Sequence, residues 1–194
     1  MDNIEVFCHV STAYSNCHKP YFSTIPEEII ETGDPDEIVN NIMSKDPEFV
    51  QQNEKEFLGK WVNTYVYAKN MAERAIKKHS GSMRTIIVRP SVVTATYREP
   101  VPGYTDTVSA GGAISFPMLM GLTKNFFLKP GGNVEACPGD VCSNSILVAC
   151  CYAASTPKPE FTIINACTSN VHKIEYSDFF PAAAPYLAYH PTHI

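Results

Sequence analysis

The sequence has no surplus of positive charge. Its 15 lysines and arginines stand against 20 aspartates and glutamates, for a net charge of −5. Contacts to a nucleic-acid backbone need a basic face, so DNA and RNA are not expected as partners. It also lacks a run of roughly 20 apolar residues, the length a helix needs to cross a bilayer core. The most apolar stretch, residues 146–154, is read as a buried helix. Residues 1–10 carry acids where a secretory leader carries bases, and they lack its apolar core. The expected setting is therefore intracellular, cytoplasmic or organelle-associated. The seven cysteines are odd in number and contain no C-x-x-C pair, which fits neither a disulfide framework nor a zinc ribbon and indicates a reducing compartment. The six histidines show no H-x-x-x-H or H-E-x-x-H spacing, so no metal site is expected. What is present is 44% hydrophobic against 18% charged residues over 194 positions, enough to build a core.

The order of elements suggests an α/β fold. Residues 4–10 alternate and read as a strand running into the polar turn at residues 11–16. Residues 19–46 form an acidic excursion broken by Pro20, Pro26 and Pro35, with short helical turns expected at residues 26–30 and 36–43. Residues 47–80 show helical spacing. In the second half, Tyr65, Ala68, Ala72, Ala75 and Ile76 line one face, and Gly81 is placed to cap the end. Residues 85–88 are continuously apolar, the pattern of a strand covered on both sides in a parallel sheet. Strand, helical crossover and strand in succession are the grammar of a βαβ unit. Residues 94–132 read as a loop-rich cap, residues 140–154 as a helix, residues 161–165 as a strand and residues 176–194 as a helix that stops early.

Tyr65 and Lys69 lie four apart on the long helix, which puts them on one face, one turn apart. A tyrosine hydroxyl ordinarily titrates near 10, and a neighbouring ammonium favours its ionised form, so the pair suits proton transfer. Alone, the spacing is a common coincidence. Its company is more specific: Ser11 and Thr12 end a strand upstream, and Arg89-Pro90-Ser91 ends another downstream. In open parallel sheets ligands bind at such carboxyl ends.

These segments together are similar to the extended short-chain dehydrogenase/reductases, and among them the chain resembles the fatty acyl-CoA reductases of the male sterility type. The matching segments are residues 9–14, residues 63–69 with Ala72 and Glu73, residues 88–93, the E-P-x-P-G element at residues 99–103 followed by Tyr104, Thr105 and Asp106, and residues 139–141. The likeness runs from about Val6 to Asn170. Tyr104 stands where that family usually has Trp, and Pro138-Gly139-Asp140 replaces its usual P-V-D run.

The resemblance implies a catalytic set of Thr12, Tyr65 and Lys69. Thr12 rather than Ser11 holds the last hydroxyl position, and Ser11 is able to assist. It further implies that Val10, Ser11, Pro90, Ser91, Val92 and Val93 line the nicotinamide end of NADPH, that Tyr65 and Lys69 also contact the cofactor, and that Tyr14 and Tyr104 face the substrate. The implied reaction is reduction of a long-chain acyl-CoA thioester to an aldehyde or primary alcohol. Such a domain opens with strand, G-x-G-x-x-G and helix, and no such run occurs here. Residues 1–194 are therefore expected to be the C-terminal half of a partial Rossmann-type domain with a loop-rich substrate cap. Its cofactor half would lie elsewhere, in a partner polypeptide or a further segment. The contrasting reading is an inactive reductase relic kept as a structural subunit of a larger complex.

Overall fold

A computed structural model describes residues 4–20, 23–30, 32–120, 122, 127, 131–155, 161–168, 171, 174–178, 185 and 189. The chain divides into two compact units, residues 1–89 with 146–165, and residues 90–145 with 166–194.

The first unit is built on a sheet of three strands, β1 (Phe7–Val10), β2 (Thr85–Pro90) and β6 (Phe161–Ala166), in the order β1-β2-β6. β1 and β2 run parallel, with Phe7 opposite Thr85 and Val10 opposite Val88. Every residue of β2 is buried, as the continuous apolar run predicts for a central strand. β1 begins later than residue 4 and sits at an edge. After a 3-10 turn (Ala13–Asn16), the excursion holds α1 (Pro35–Met43), and α2 (Pro47–Gln52) and α3 (Glu54–Leu58) follow. Asp34 and Asp46 cap α1 and α2 by accepting N–H bonds in their first turns, each just ahead of a proline that needs no partner there.

The expected helical turn at residues 26–30 is absent from the structure. The backbone groups it would use are drawn into tertiary bonds: Arg89 donates to the carbonyls of Pro26 and Glu28, and Asn165 Nδ2 donates to that of Ile25.

α4 (Thr64–His79) spans the clearest helical pattern in the sequence, and Gly81 follows its Ser80 cap in the left-handed region (φ 55°). The buried face is not the one the apolar spacing indicates. Val66, Asn70, Met71, Glu73 and Arg74 point inward, while Tyr65 and Ala68 are exposed. Polar side chains can turn inward here because the interior holds their partners. Glu73 meets Arg89, and Arg74 reaches the carbonyls of Thr32 and Gly33. At the helix end, Lys78 bridges Asp34 at 2.6 Å and Asp36 at 2.7 Å, fastening α1 to α4.

α6 (Gly139–Ser155) covers the expected helix, and its residues from 146 onward belong to the first unit. It is not the buried helix its composition suggests. Ala149 and Ala153 are buried, but Leu147, Val148, Cys151 and Tyr152 are exposed, because an apolar helix packed along one face leaves the other uncovered.

In the second unit, β3 (Val92–Thr94) runs parallel to β5 (Ala136–Pro138), and β4 (Asn133–Val134) runs antiparallel to β7 (Ile174–Glu175). Residues 94–132 are not loop throughout. They include α5 (Gly111–Leu119), which the Gly111-Gly112 pair and Pro117 conceal in the sequence. The glycines are there for close packing: a Cβ on Gly111 would lie 2.7 Å from Thr94 Cγ2, and one on Gly112 would lie 2.8 Å from the Thr107 carbonyl oxygen. The helix expected over residues 176–194 falls largely outside the described residues. Among the described residues no helix is long and apolar enough to cross a membrane.

Candidate active site

Where β1 ends, the ladder continues for one more bond, from the Ser11 N–H to the Val88 carbonyl at 2.8 Å, and the chain then turns. Thr12 caps the 3-10 turn from extended backbone, its Oγ1 accepting the Tyr14 N–H at 3.3 Å. A hydroxyl has two lone pairs and one proton, so this cap uses a lone pair of Thr12 and leaves its proton without an assigned acceptor among the described residues. Ser11 differs, because its hydroxyl donates to Glu73 Oε1 at 2.5 Å and its proton is committed inside the protein. Both residues are buried.

α4 starts at Thr64 because Asn63, in extended backbone, accepts the Val66 N–H at 3.0 Å. This places Tyr65 in the first turn, at the positive pole of a 16-residue helix, with Lys69 one turn further on. Tyr65 is 56% exposed and open to a ligand. Lys69 Nζ donates to the Val10 carbonyl at 2.9 Å, tying this face of α4 to the carboxyl end of β1. The approach is braced from below: Trp61 Nε1 donates to the Ser15 carbonyl at 3.1 Å, and its ring packs edge-on against Tyr67. Lys69 and the first turn of α4 are thus tied to the end of the parallel strand that leads into Thr12, with Tyr65 exposed one turn before Lys69.

His9 is held neutral beside this set. Burial lowers its pKa first and the Lys69 ammonium second, while Glu73 pulls the other way. The thiols of Cys8 and Cys137 are both pushed up to about 11, chiefly by burial, so neither offers a thiolate near neutral pH.

Tyr14 is exposed on the 3-10 turn. Pro90, Ser91, Val92 and Val93 belong to the second unit, where the Ser91 N–H donates to the Ala166 carbonyl and Ser91 Oγ is buried with no hydrogen-bond partner among the described residues. Tyr104 lines a cleft of about 850 Å³ in that unit, between β3, residues 99–110 and the start of α6. Asp140 shapes the cleft. Its carboxylate accepts the backbone N–H groups of Tyr97, Arg98 and Glu99 and is held down to about 2 by those bonds.

The sequence reading gave Glu73 and Arg89 no role. The available signal was position: Glu73 falls four and eight residues beyond Lys69 and Tyr65, and Arg89 interrupts an otherwise apolar strand.

A nicotinamide cofactor fits part of this framework. The donor set at the end of β1 suits its nicotinamide and ribose end. The pyrophosphate end has no cradle among the described residues, since Gly111 and Gly112 are closed by Thr94 and Thr107 of the chain itself.

A parallel sheet with helical crossovers is the framework of a partial Rossmann-type α/β domain. Residues 1–146 match the model of the NAD-binding male sterility protein family. The chain belongs to that family. It is 28% identical to fatty acyl-CoA reductase 1 of Gallus gallus over 180 residues, covering 92% of this chain and 34% of that protein. It is 28% identical to fatty acyl-CoA reductase 2 of Bos taurus over 173 residues, covering 87% of this chain and 32% of that protein. With the Mus musculus reductase 2 the identity is 30% over 170 residues, again 87% of this chain and 32% of that protein. The chain spans about a third of the length of these curated relatives.

Proposed function

We propose that this chain carries the proton-handling portion of a reductase that converts a long-chain acyl-CoA thioester to an aldehyde or primary alcohol with NADPH. The pyrophosphate grip would come from a glycine-rich segment outside these residues. The observation that carries the reading is the 2.9 Å bond from Lys69 Nζ to the Val10 carbonyl, which holds the Tyr65–Lys69 face of α4 at the strand end that bears Thr12.

Bound NADPH would supply one hydride, giving the aldehyde as CoA leaves as its thiolate, and a second NADPH, bound after the oxidised cofactor departs, would supply another to give the alcohol. The Thr12 and Tyr65 hydroxyls donate to the carbonyl oxygen as it gains charge. Tyr65 then gives up its proton to the alkoxide in the second reduction. Lys69 and the helix N-terminus supply the positive field at that oxygen. Val10 and Ser11 are assigned to the cofactor by the family resemblance, as are Pro90, Ser91, Val92 and Val93. The same resemblance assigns Tyr14 and Tyr104 to the acyl-CoA, and Tyr104 lines a cleft of its own unit.

The test is NADPH oxidation with a long-chain acyl-CoA by the chain joined to a glycine-rich cofactor segment of the family. Activity is expected there, and Tyr65→Phe is expected to lower kcat by about 10²-fold to 10⁴-fold. Undiminished turnover in Tyr65→Phe overturns the assignment.

A further inference from the structure

We propose that Glu73 is a positioning residue for this site: paired with Arg89 in the interior, it holds the Ser11-Thr12 segment against the Tyr65–Lys69 face of α4. The inference rests on the reductase reading. Glu73 and Arg89 are both wholly buried. Arg89 Nη2 donates to Glu73 Oε2 at 2.6 Å and Nε donates to Oε1 at 2.9 Å, a bidentate pair with one geometry. Glu73 Oε1 also accepts the hydroxyl of Ser11 at 2.5 Å and that of Ser15 at 3.3 Å. One carboxylate thus joins three elements: α4 that bears it, β2 through Arg89, and both ends of the turn that begins at the end of β1. Arg89 extends the tie by donating to the carbonyls of Pro26 and Glu28.

A buried ion pair often stabilises a fold no better than an apolar pair of the same size, so its distinctive contribution is directional. Here the direction is toward the site. Glu73 lies a little over two turns from Tyr65, about 12 Å along the axis, and points inward where Tyr65 is exposed, so it does not touch the reacting atoms. It acts through Ser11, the residue before Thr12. With the Ser11 proton given to Glu73, Thr12 is left as the hydroxyl aimed at the substrate, at a fixed height on α4.

Two measurements test this. In the chain alone, Ser11→Ala removes the tether and leaves the ion pair intact, so backbone amide exchange should quicken at residues 12–16 while the melting temperature holds. In the reductase joined to its cofactor segment, Glu73→Gln should lower kcat by about 10²-fold with KM for acyl-CoA unchanged, since the loss is of alignment. Glu73→Asp should restore part of kcat. The double variant Glu73→Leu/Arg89→Met should regain the melting temperature that Glu73→Gln loses without regaining kcat. Recovery of kcat together with the melting temperature, or unchanged exchange in Ser11→Ala, overturns the proposal. A parent reductase that turns over no acyl-CoA overturns the functional reading, and the exchange experiment then decides the tether by itself.

Discussion

His9 shows how the site constrains single residues. Burial and the Lys69 ammonium hold its pKa below the ordinary 6.5, and His18 is lowered in the same way, by burial first and then by Lys60 and Lys19. Below the ordinary value the unfolded chain takes up protons that the folded chain refuses, so stability falls as pH drops through that window. The melting temperature should therefore decline from about pH 7.5 to about pH 5.5, and His9→Gln should flatten part of the slope. An equally steep slope in that variant would show that His9 does not carry the effect. Glu73 and Arg89 mark the other extreme. Removing either member alone would leave its partner charged and uncompensated in the interior, a loss on the order of 3–5 kcal/mol.

At the level of elements, α5 depends on two residues at its start. Ala110 precedes it at φ 50° and ψ −119°, a conformation that strains a residue with a side chain. Ala110→Gly should raise stability by about 1 kcal/mol. Gly112 sits where a Cβ would press on the Thr107 carbonyl oxygen, so Gly112→Ala should cost about 1–3 kcal/mol. Chemical denaturation followed by circular dichroism measures both, and the opposite sign at either position would contradict the packing described for the second unit. α4 makes a related point. Its end and its Tyr65–Lys69 face are visible in the sequence, through Gly81 and the spacing, but its start is not, since residues 47–80 read as one helical span that the structure divides into α2, α3 and α4. Its rotation is not, because apolar periodicity places Ala68 inward and gives no weight to polar residues whose interior partners lie on β2 and the excursion.

Across the first unit as a whole, the apolar surface is incompletely covered. Among the described residues β1 pairs with β2 alone, and it exposes Phe7 and Val10, while α6 exposes Leu147, Val148 and Tyr152. A parallel sheet normally has both faces clothed by helices and its edges protected. On the reductase reading, the cofactor segment adds its strands beside β1. The chain expressed alone should therefore self-associate as its concentration rises and bind a hydrophobic dye, and both effects should diminish when the cofactor segment is joined to it. Sedimentation showing a monodisperse monomer at every concentration would contradict this.

The sequence by itself determined the α/β class, the strand-helix-strand order around α4 and the Tyr65–Lys69 pair, which follow from hydrophobic period and fixed spacing along one chain. Thr12 joined that pair through the family resemblance. Only the tertiary structure decided that the Ser11 hydroxyl is spent on Glu73 while the Thr12 proton is not, that α4 turns its charged face inward, and that α6 leaves one apolar face uncovered. Each of these depends on a partner far away in sequence. A buried charge or a covered apolar face is stable only where another element supplies its complement, and local pattern carries no record of that element.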